Sequence, residues 1–438
     1  MDKIKVVLIC SVTNPRIQEH LKLKIGIIES IARMLKGRSC DVSKLAGEFN
    51  VFIENAIHEY EKHCNEIELH VISPHGWLKQ RIQEFEDNGV LYHFFQNESQ
   101  FLKNRILLKV FPSTQFSKYK YNRRQILRFV KRISPDIVYM SGAENPFYSM
   151  SALDIPRSIP FMVQLQTLMI DPDFEKKYPI THDLYVYRSS IEKKVLERAD
   201  YIGSVNKKHN DIIKKIIGDS SRILNTRLAI GEEIYNSNVI KDYDFVYFSI
   251  NINKAFDLAL EGFAIAQQEE KGLTLLVVGD YDVEYKRKID LRIEELGIQS
   301  NIKFTGRLPS HKDVLNEICR AKFALLPLKI DIVSGTIREA MACGLPVVTT
   351  ITDGGTPTLN TNRETVLLSE IGDHNALAGN MIKVLRNPEL AKTLIENGHL
   401  LVKERYSNES IVCNQIDCLY AVVKKFKKGT DIPQDFFA

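Results

Sequence analysis

Short runs rich in β-branched and aromatic residues alternate with longer amphipathic stretches along the whole chain. In the first half the runs are KIKVVLIC from Lys3, IELHVIS from Ile67, GVLYHFF from Gly89, PDIVYM from Pro135, IPFMVQL from Ile159 and DYIGSV from Asp200. The second half supplies DFVYFSI from Asp244, LTLLVVG from Leu273, NIKFTG from Asn301, AKFALLPL from Ala321, LPVVTT from Leu345 and ETVLLS from Glu364. Nearly continuous apolar runs separated by helical patterns predict parallel strands covered on both faces. Two such series predict an α/β chain of two Rossmann-like, doubly wound parallel-sheet domains facing a cleft, with ligands beyond the carboxyl ends of the strands. The polar, turn-rich stretch from Leu228 to Asp244 marks the break. It divides the chain into a first domain over 1–236, a second over 237–405, and a helical segment over 406–438 that is expected to cross back to the first.

A chain of 438 residues, 44% hydrophobic and 26% charged, has the composition of globular domains with substantial cores. The formal charge of +4 is too small to point to nucleic acid. Seven cysteines are scattered with no C-x-x-C spacing, which excludes a disulfide framework or a zinc ribbon and fits a reducing compartment. The apolar run at the N-terminus is too short for a secretory signal, and no later run has the length of a spanning helix. A cytoplasmic protein, at most peripheral to a membrane, is therefore expected.

The chemistry concentrates in DIVSGTIREAMACGLPVVTT, from Asp331 to Thr350. Ser334 suits a helix N-cap, and Gly335 and Thr336 leave the amides of the first turn open to an anion. Gly344 suits a left-handed helix end, and Pro346 prevents continuation. Asp331 before the helix and Glu339 one turn into it flank that corner, an arrangement suited to pyrophosphate, ribose and sugar hydroxyls. An ordinary capped helix with two surface carboxylates would show the same local pattern.

This stretch resembles the signature of retaining glycosyltransferases of the GT-B fold, the group called glycosyltransferase group 1 or family 4. There an acidic residue precedes Glu by seven intervening positions in an E-A-M-A-x-G-x-P-V-V context. Here Asp331 precedes EAMACGLPVV from Glu339, with Asp where the family usually has Glu. INKAFDLALEGFAIA resembles the family's phosphate-binding lysine and following helix, with Lys254 as the lysine and Ala255 in place of glycine. NIKFTGRL resembles the strand leading to the nucleobase loop, which implies Gly306 and Arg307 as nucleoside contacts. The family's arginine before the phosphate lysine falls at Ser249, and its first-domain histidine falls at Gln166.

The resemblance implies transfer of a sugar from a UDP-sugar or GDP-sugar to a glycan or lipid-linked acceptor with retention, in surface polysaccharide synthesis. Lys254, Asp331 and Glu339 would carry catalysis; Lys254, Ser334, Gly335 and Thr336 would hold the donor phosphates. Glu339, with Gly306 and Arg307, would meet the nucleoside, and Ser11, Asn14 and Gln166 would lie on the acceptor side. No metal or other cofactor is required by this scheme, although Asp-x-Asp pairs occur at Asp171 and Asp173, Asp242 and Asp244, and Asp280 and Asp282. From Phe101 to Arg132 the chain carries ten Lys or Arg and no Asp or Glu, interleaved with aromatic residues, which suits an anionic membrane surface better than nucleic acid. A helical insertion from Leu21 to about Gly47 is expected to join the same rim. Ser249 and Gln166 keep open a non-catalytic module that binds nucleotide or glycan, and a nucleotide-sugar epimerase of the same fold is a further alternative. A nicotinamide enzyme is disfavoured, because no G-x-G-x-x-G follows a first strand.

Overall fold

The computed structural model describes residues 3–25, 30, 34, 51–98, 118–172, 174, 180–229, 234–235, 239–248, 255–279, 283–329, 335–352 and 355–437. Contacts divide the chain into unit 1, residues 1–230 with 411–438, and unit 2, residues 231–410. Most of the insertion expected over 21–47 lies outside the described residues.

Unit 1 is built on β1 (Ile4–Ile9), β2 (Ile67–His75), β3 (Ile82–Asp87), β4 (Val90–Gln96), β5 (Ile137–Ser141), β6 (Phe161–Gln164), β7 (Tyr201–Gly203) and β8 (Ile223–Leu224). Their order in the sheet is β3-β4-β2-β1-β5-β6-β7-β8. The central strands are buried on both faces, as Val6, Val7, Leu8 and Ile9 of β1 show. The helices are α1 (Pro15–His20), α2 (Val51–Lys62), α3 (Lys120–Ile133), α4 (Pro146–Ser149), α5 (His182–Arg198) and α6 (Lys207–Ile217).

One strand departs from the parallel expectation. β3 runs antiparallel to β4, with Asp87 opposite Val90. The two-residue turn between them has Asn88 at φ 48° and Gly89 at φ 78°, the doubly left-handed turn whose twist matches paired strands. Glu84, Glu86 and Asp87 put charge along this outer strand, which discourages edge pairing with another chain. The short strand β8 at the opposite edge is covered by the end of the chain, where the Asn225 amide donates to the Phe436 carbonyl at 2.7 Å.

Unit 2 contains β9 (Tyr243–Phe248), β10 (Leu275–Val278), β11 (Ile302–Phe304), β12 (Ala321–Leu325), β13 (Val347–Thr350) and β14 (Val366–Ser369), ordered β11-β10-β9-β12-β13-β14 and parallel throughout. Its helices are α7 (Phe256–Glu269), α8 (Val283–Leu296), α9 (His311–Ile318), α10 (Gly335–Ala342), α11 (His374–Arg386) and α12 (Pro388–Leu401). Phe245, Phe248, Phe256 and Phe263 are fully buried in its core, each contributing about 1.5–3 kcal/mol by leaving water. The last long helix, α13 (Asn408–Lys428), places Ile411, Val412, Ile416, Leu419 and Val423 in the core of unit 1. Gln415 fixes it there, accepting from the Tyr60 hydroxyl at 2.8 Å and donating to the Arg227 carbonyl at 2.6 Å.

Candidate functional site

In unit 2 the chain leaves β9 toward β10 on one side and leaves β12 toward β13 on the other, although β9 and β12 are neighbours. The crevice beyond such a reversal is where open α/β sheets receive ligands. The loop after β12 is pinned to β13 by two threonines. The Leu328 amide donates to Thr350 Oγ1 at 2.8 Å and that hydroxyl donates back to the Leu328 carbonyl at 2.6 Å, while Thr349 donates to the Leu326 carbonyl at 2.7 Å.

Helix α10 starts at Gly335 with Thr336 buried in its first turn. It ends where Gly344 takes φ 64°, and the Leu345 amide reaches back to the Ala340 carbonyl at 2.9 Å. Between these ends Ile337, Ala340 and Met341 face the core. The Glu339 side chain is only 15% exposed and Oε1 lies 3.6 Å from His311 Nε2. His311 is the first residue of α9, behind a Ser310 and Asp313 capping box, and Gly306 and Arg307 lie in the loop leading to it. Gly306 takes φ 69° with open space where a side chain would stand, and Arg307 is exposed. The contact with Glu339 is thus made by His311, at the end of the loop that carries Gly306 and Arg307; no sequence pattern singled out His311.

Lys254, Asp331 and Ser334 lie outside the described residues, as does Ser249. The described flanks of their loops are tied together by Lys329, whose Nζ is 2.5 Å from Asp257 Oδ2 in the first turn of α7. A cation that the sequence reading passed over thus stands between the loop after β12 and the helix that follows residue 254. The Asp-x-Asp pairs divide differently. Asp242 and Asp244 sit at the opposite, amino end of β9, occupied by Arg320 at 2.8 Å and Lys322 at 2.9 Å, and Asp171 pairs with Lys208 at 3.0 Å. Asp173, Asp280 and Asp282 lie outside the described residues, and among the described residues no group of three His, Cys, Asp or Glu is arranged to hold a metal ion.

Unit 1 has its own reversal between β1 and β5, since β1 leads to β2 on one side and β5 to β6 on the other. Ser11 follows β1, and Asn14 is buried as the N-cap of α1, accepting from the Ile17 amide at 2.7 Å. Asn14 also lines a cavity of about 210 Å³ with Arg16 and Glu61. Gln166, just past β6, donates through Nε2 to Ser141 Oγ at 3.1 Å. All three residues stand at carboxyl ends of strands, but the Asn14 oxygen is already engaged in its helix.

Two carboxyls that the sequence reading missed lie behind this mouth. Glu144 follows β5 and Glu192 projects from α5, and both are buried. Burial pushes Glu144 up to about 7, partly offset by its own and the Ala143 amides and by Arg188. Burial pushes Glu192 up to about 8, with nearby Glu144 adding to the rise. Ordinary carboxylates titrate near 4.3, so Glu192 keeps most of its proton at neutral pH and Glu144 is about half protonated there. The only local hint was the S-G-A-E-N-P turn after a strand.

Residues 232–400 match the family model described as glycosyl transferases group 1. The chain is 29% identical over 155 residues to N-acetyl-alpha-D-glucosaminyl L-malate synthase of Bacillus anthracis, a match covering 35% of this chain and 39% of that protein. It is 24% identical over 214 residues to the capsular polysaccharide biosynthesis glycosyltransferase CapM of Staphylococcus aureus, covering 48% of this chain and 50% of the relative. The matched segments thus span no more than about half of these relatives. Among solved structures, HepE of Anabaena in complex with UDP superposes with a TM-score of 0.61 at 13% identity, covering 95% of this chain and 99% of the other. The two units have the GT-B fold of that structure, and residues 232–400 are similar to the glycosyl transferases group 1.

Proposed function

We propose that the protein is a retaining glycosyltransferase that moves a sugar from a nucleoside diphosphate sugar to a glycan or lipid-linked acceptor, in surface polysaccharide synthesis. The observation that carries this reading is Glu339 of α10, the helix that follows β12, held half-buried beside His311 in a unit whose strand order reverses between β9 and β12 and which matches the family model over residues 232–400. A carboxylate there suits a ribose diol. The names of the relatives, a glucosaminyl malate synthase and a capsular polysaccharide glycosyltransferase, support sugar transfer and a glycan product, and UDP in the HepE complex supports a nucleotide donor.

In this scheme negative charge gathers on the departing diphosphate, and the protein lowers the barrier by stabilising it with groups already in place. Lys254 and the amides from Ser334 to Thr336 would take that charge. Lys329, standing at the same mouth, would supply the second cation that Ser249 does not. Asp331 would orient the transferred sugar, Glu339 the ribose, and no metal enters the scheme.

Thermal shifts of wild type and Glu339→Ala with UDP, GDP, ADP and their sugars, each with and without EDTA, test this reading. Ligand at a hundred times its dissociation constant adds about 2.7 kcal/mol of stability. The expected result is a shift for one nucleotide series, unchanged by EDTA and lost in the variant, with donor turnover giving an α-linked product from an α-linked donor. Binding without turnover would favour the non-catalytic module instead, and an epimerised sugar would favour the epimerase.

We also propose that the protein works at an anionic membrane surface. No helix among the described residues is long and apolar enough to cross a membrane. Of the basic segment, 101–117 lies outside the described residues, but α3 is described. Its exposed positions are Lys120, Arg124, Arg128, Lys131 and Arg132, all basic, while Ile126, Phe129, Val130 and Ile133 anchor it in the core. Arg132 pairs with Glu84 and Arg123 with Asp154; no ion pair within the described residues is recorded for the other four. Like charges four apart repel by about 0.2–0.5 kcal/mol per pair in a helix, so the stripe carries a local cost. Liposome flotation should show binding only with acidic lipid, lost in Lys120→Glu/Arg124→Glu/Arg128→Glu; indifference to lipid charge would refute this membrane reading.

A further inference from the structure

Three polar side chains from separate parts of unit 1 converge on Gly142. The position its missing Cβ would occupy is 2.7 Å from Glu144 Oε2, 2.7 Å from the Tyr148 hydroxyl and 2.9 Å from Gln166 Cδ. Gly142 takes φ 86°, a conformation that residues with a Cβ avoid, so glycine leaves the space in which these groups meet. Most of their hydrogen bonds are accounted for. Tyr148 donates to the Ser141 carbonyl at 2.8 Å, Gln166 Nε2 to Ser141 Oγ at 3.1 Å, and Asn145 Nδ2 to Glu144 Oε1 at 2.7 Å. Glu144 Oε2 is buried with no partner among the described residues.

A single face of α5 supports both loops of this mouth. Arg188 donates through Nε to the Glu144 carbonyl at 2.8 Å and through Nη2 to Asn145 Oδ1 at 2.9 Å. One turn along, Glu192 accepts from the Ile170 amide at 2.8 Å, four residues beyond Gln166. The guanidinium's hydrogen bonds thus go to neutral oxygens, so Arg188 acts on the Glu144 carboxyl only through its nearby charge, and Glu144 forms no ion pair among the described residues. A buried carboxylate in that position is costly, whereas a carboxylic acid can donate. The other titratable groups facing Glu144 are Tyr148 from α4 and Arg188 and Glu192 from α5.

We propose that Glu144, in its neutral form, is a positioning residue that holds the Gln166 amide at the mouth of β5 and β6 for an acceptor hydroxyl. The proposal rests on the reading of unit 1 as the acceptor side of a transferase. Protonated, Oε2 would donate to the Gln166 amide oxygen across the space above Gly142 and point that amide; when the proton leaves on the alkaline side, a carboxylate would stand where a donor stood and Gln166 would lose its orientation.

Steady-state transfer against acceptor and donor concentration, with wild type, Glu144→Ala, Glu144→Gln, Gln166→Ala and the Glu144→Ala/Gln166→Ala double variant, tests it. Glu144→Ala is expected to raise the acceptor KM about tenfold, the loss of one well-placed hydrogen bond, with the donor KM unmoved. Glu144→Gln should recover most of that loss and remove the fall in acceptor affinity above neutral pH. The double variant should be no worse than the more impaired single one. Infrared spectra give a readout that needs no turnover: the carboxylic C=O absorption at pH 6, which in wild type comes from both Glu144 and Glu192, should lose the Glu144 contribution in Glu144→Gln and keep that of Glu192. Additive losses, equal effects on donor and acceptor KM, or spectra that do not differ would overturn the proposal. A wild type that binds no nucleotide and transfers nothing would instead overturn the transferase reading, and this inference with it.

Discussion

Replacing Glu192 by Gln isolates the electrostatics behind the mouth of unit 1. Glu192 is fully buried; one oxygen accepts from the Ile170 amide at 2.8 Å and the other has no partner among the described residues. Burial, with a contribution from Glu144, pushes its carboxyl from an ordinary 4.5 to about 8. A carboxyl of this kind keeps its proton in the native state while the unfolded chain has already released it. Its contribution to stability is therefore complete below the ordinary value and is lost as pH rises through about 8. At about 1.4 kcal/mol for each pH unit between the two values, wild type loses roughly 4 kcal/mol relative to Glu192→Gln between pH 5 and pH 9. Glutamine cannot ionise, yet it still offers an oxygen to the Ile170 amide. Urea unfolding followed by the fluorescence of Trp77, the single tryptophan, reports on unit 1 directly. The wild-type midpoint should fall with rising pH more steeply than that of the variant. Parallel pH profiles would refute a buried proton on Glu192.

Gly142→Ala combines a left-handed backbone with three contacts under 3 Å, so about 2–5 kcal/mol should be lost from the unfolding reported by Trp77. Phe263→Ala, fully buried in unit 2, should cost about 3–5 kcal/mol by calorimetry. Asn14→Ala removes the cap on Ile17 and should cost about 1 kcal/mol in urea unfolding, with Asn14→Ser recovering most of it. Lys329→Ala should weaken a nucleoside diphosphate more than the matching nucleoside by calorimetric titration, and equal losses would remove Lys329 from the phosphate site.

Much of the fold was legible because burial on both faces leaves a local record. Each of the twelve apolar runs contains a strand, and the Gly-Leu-Pro stop after EAMAC coincides with the left-handed end of α10. The antiparallel β3 carried a signal too, since Asp87, Asn88 and Gly89 spell a tight hairpin turn. Its alternating, half-exposed side chains, however, lack the continuous apolar run that marks the longer strands, and the two-residue β8 has none either.

The pairings that make a site were not written locally. His311 reaches Glu339, Lys329 reaches Asp257, and Glu144 and Glu192 come together behind Gln166 only because the strand order sets particular loops side by side. The same order sends Asp242 and Asp244 to the amino end of β9, where arginine and lysine occupy them. Hydrophobic periodicity records which face of a segment leaves water, a property of neighbouring residues. Whether a polar group finds a partner, and hence its charge, depends on residues far apart in the chain, and so was decided by the tertiary structure alone.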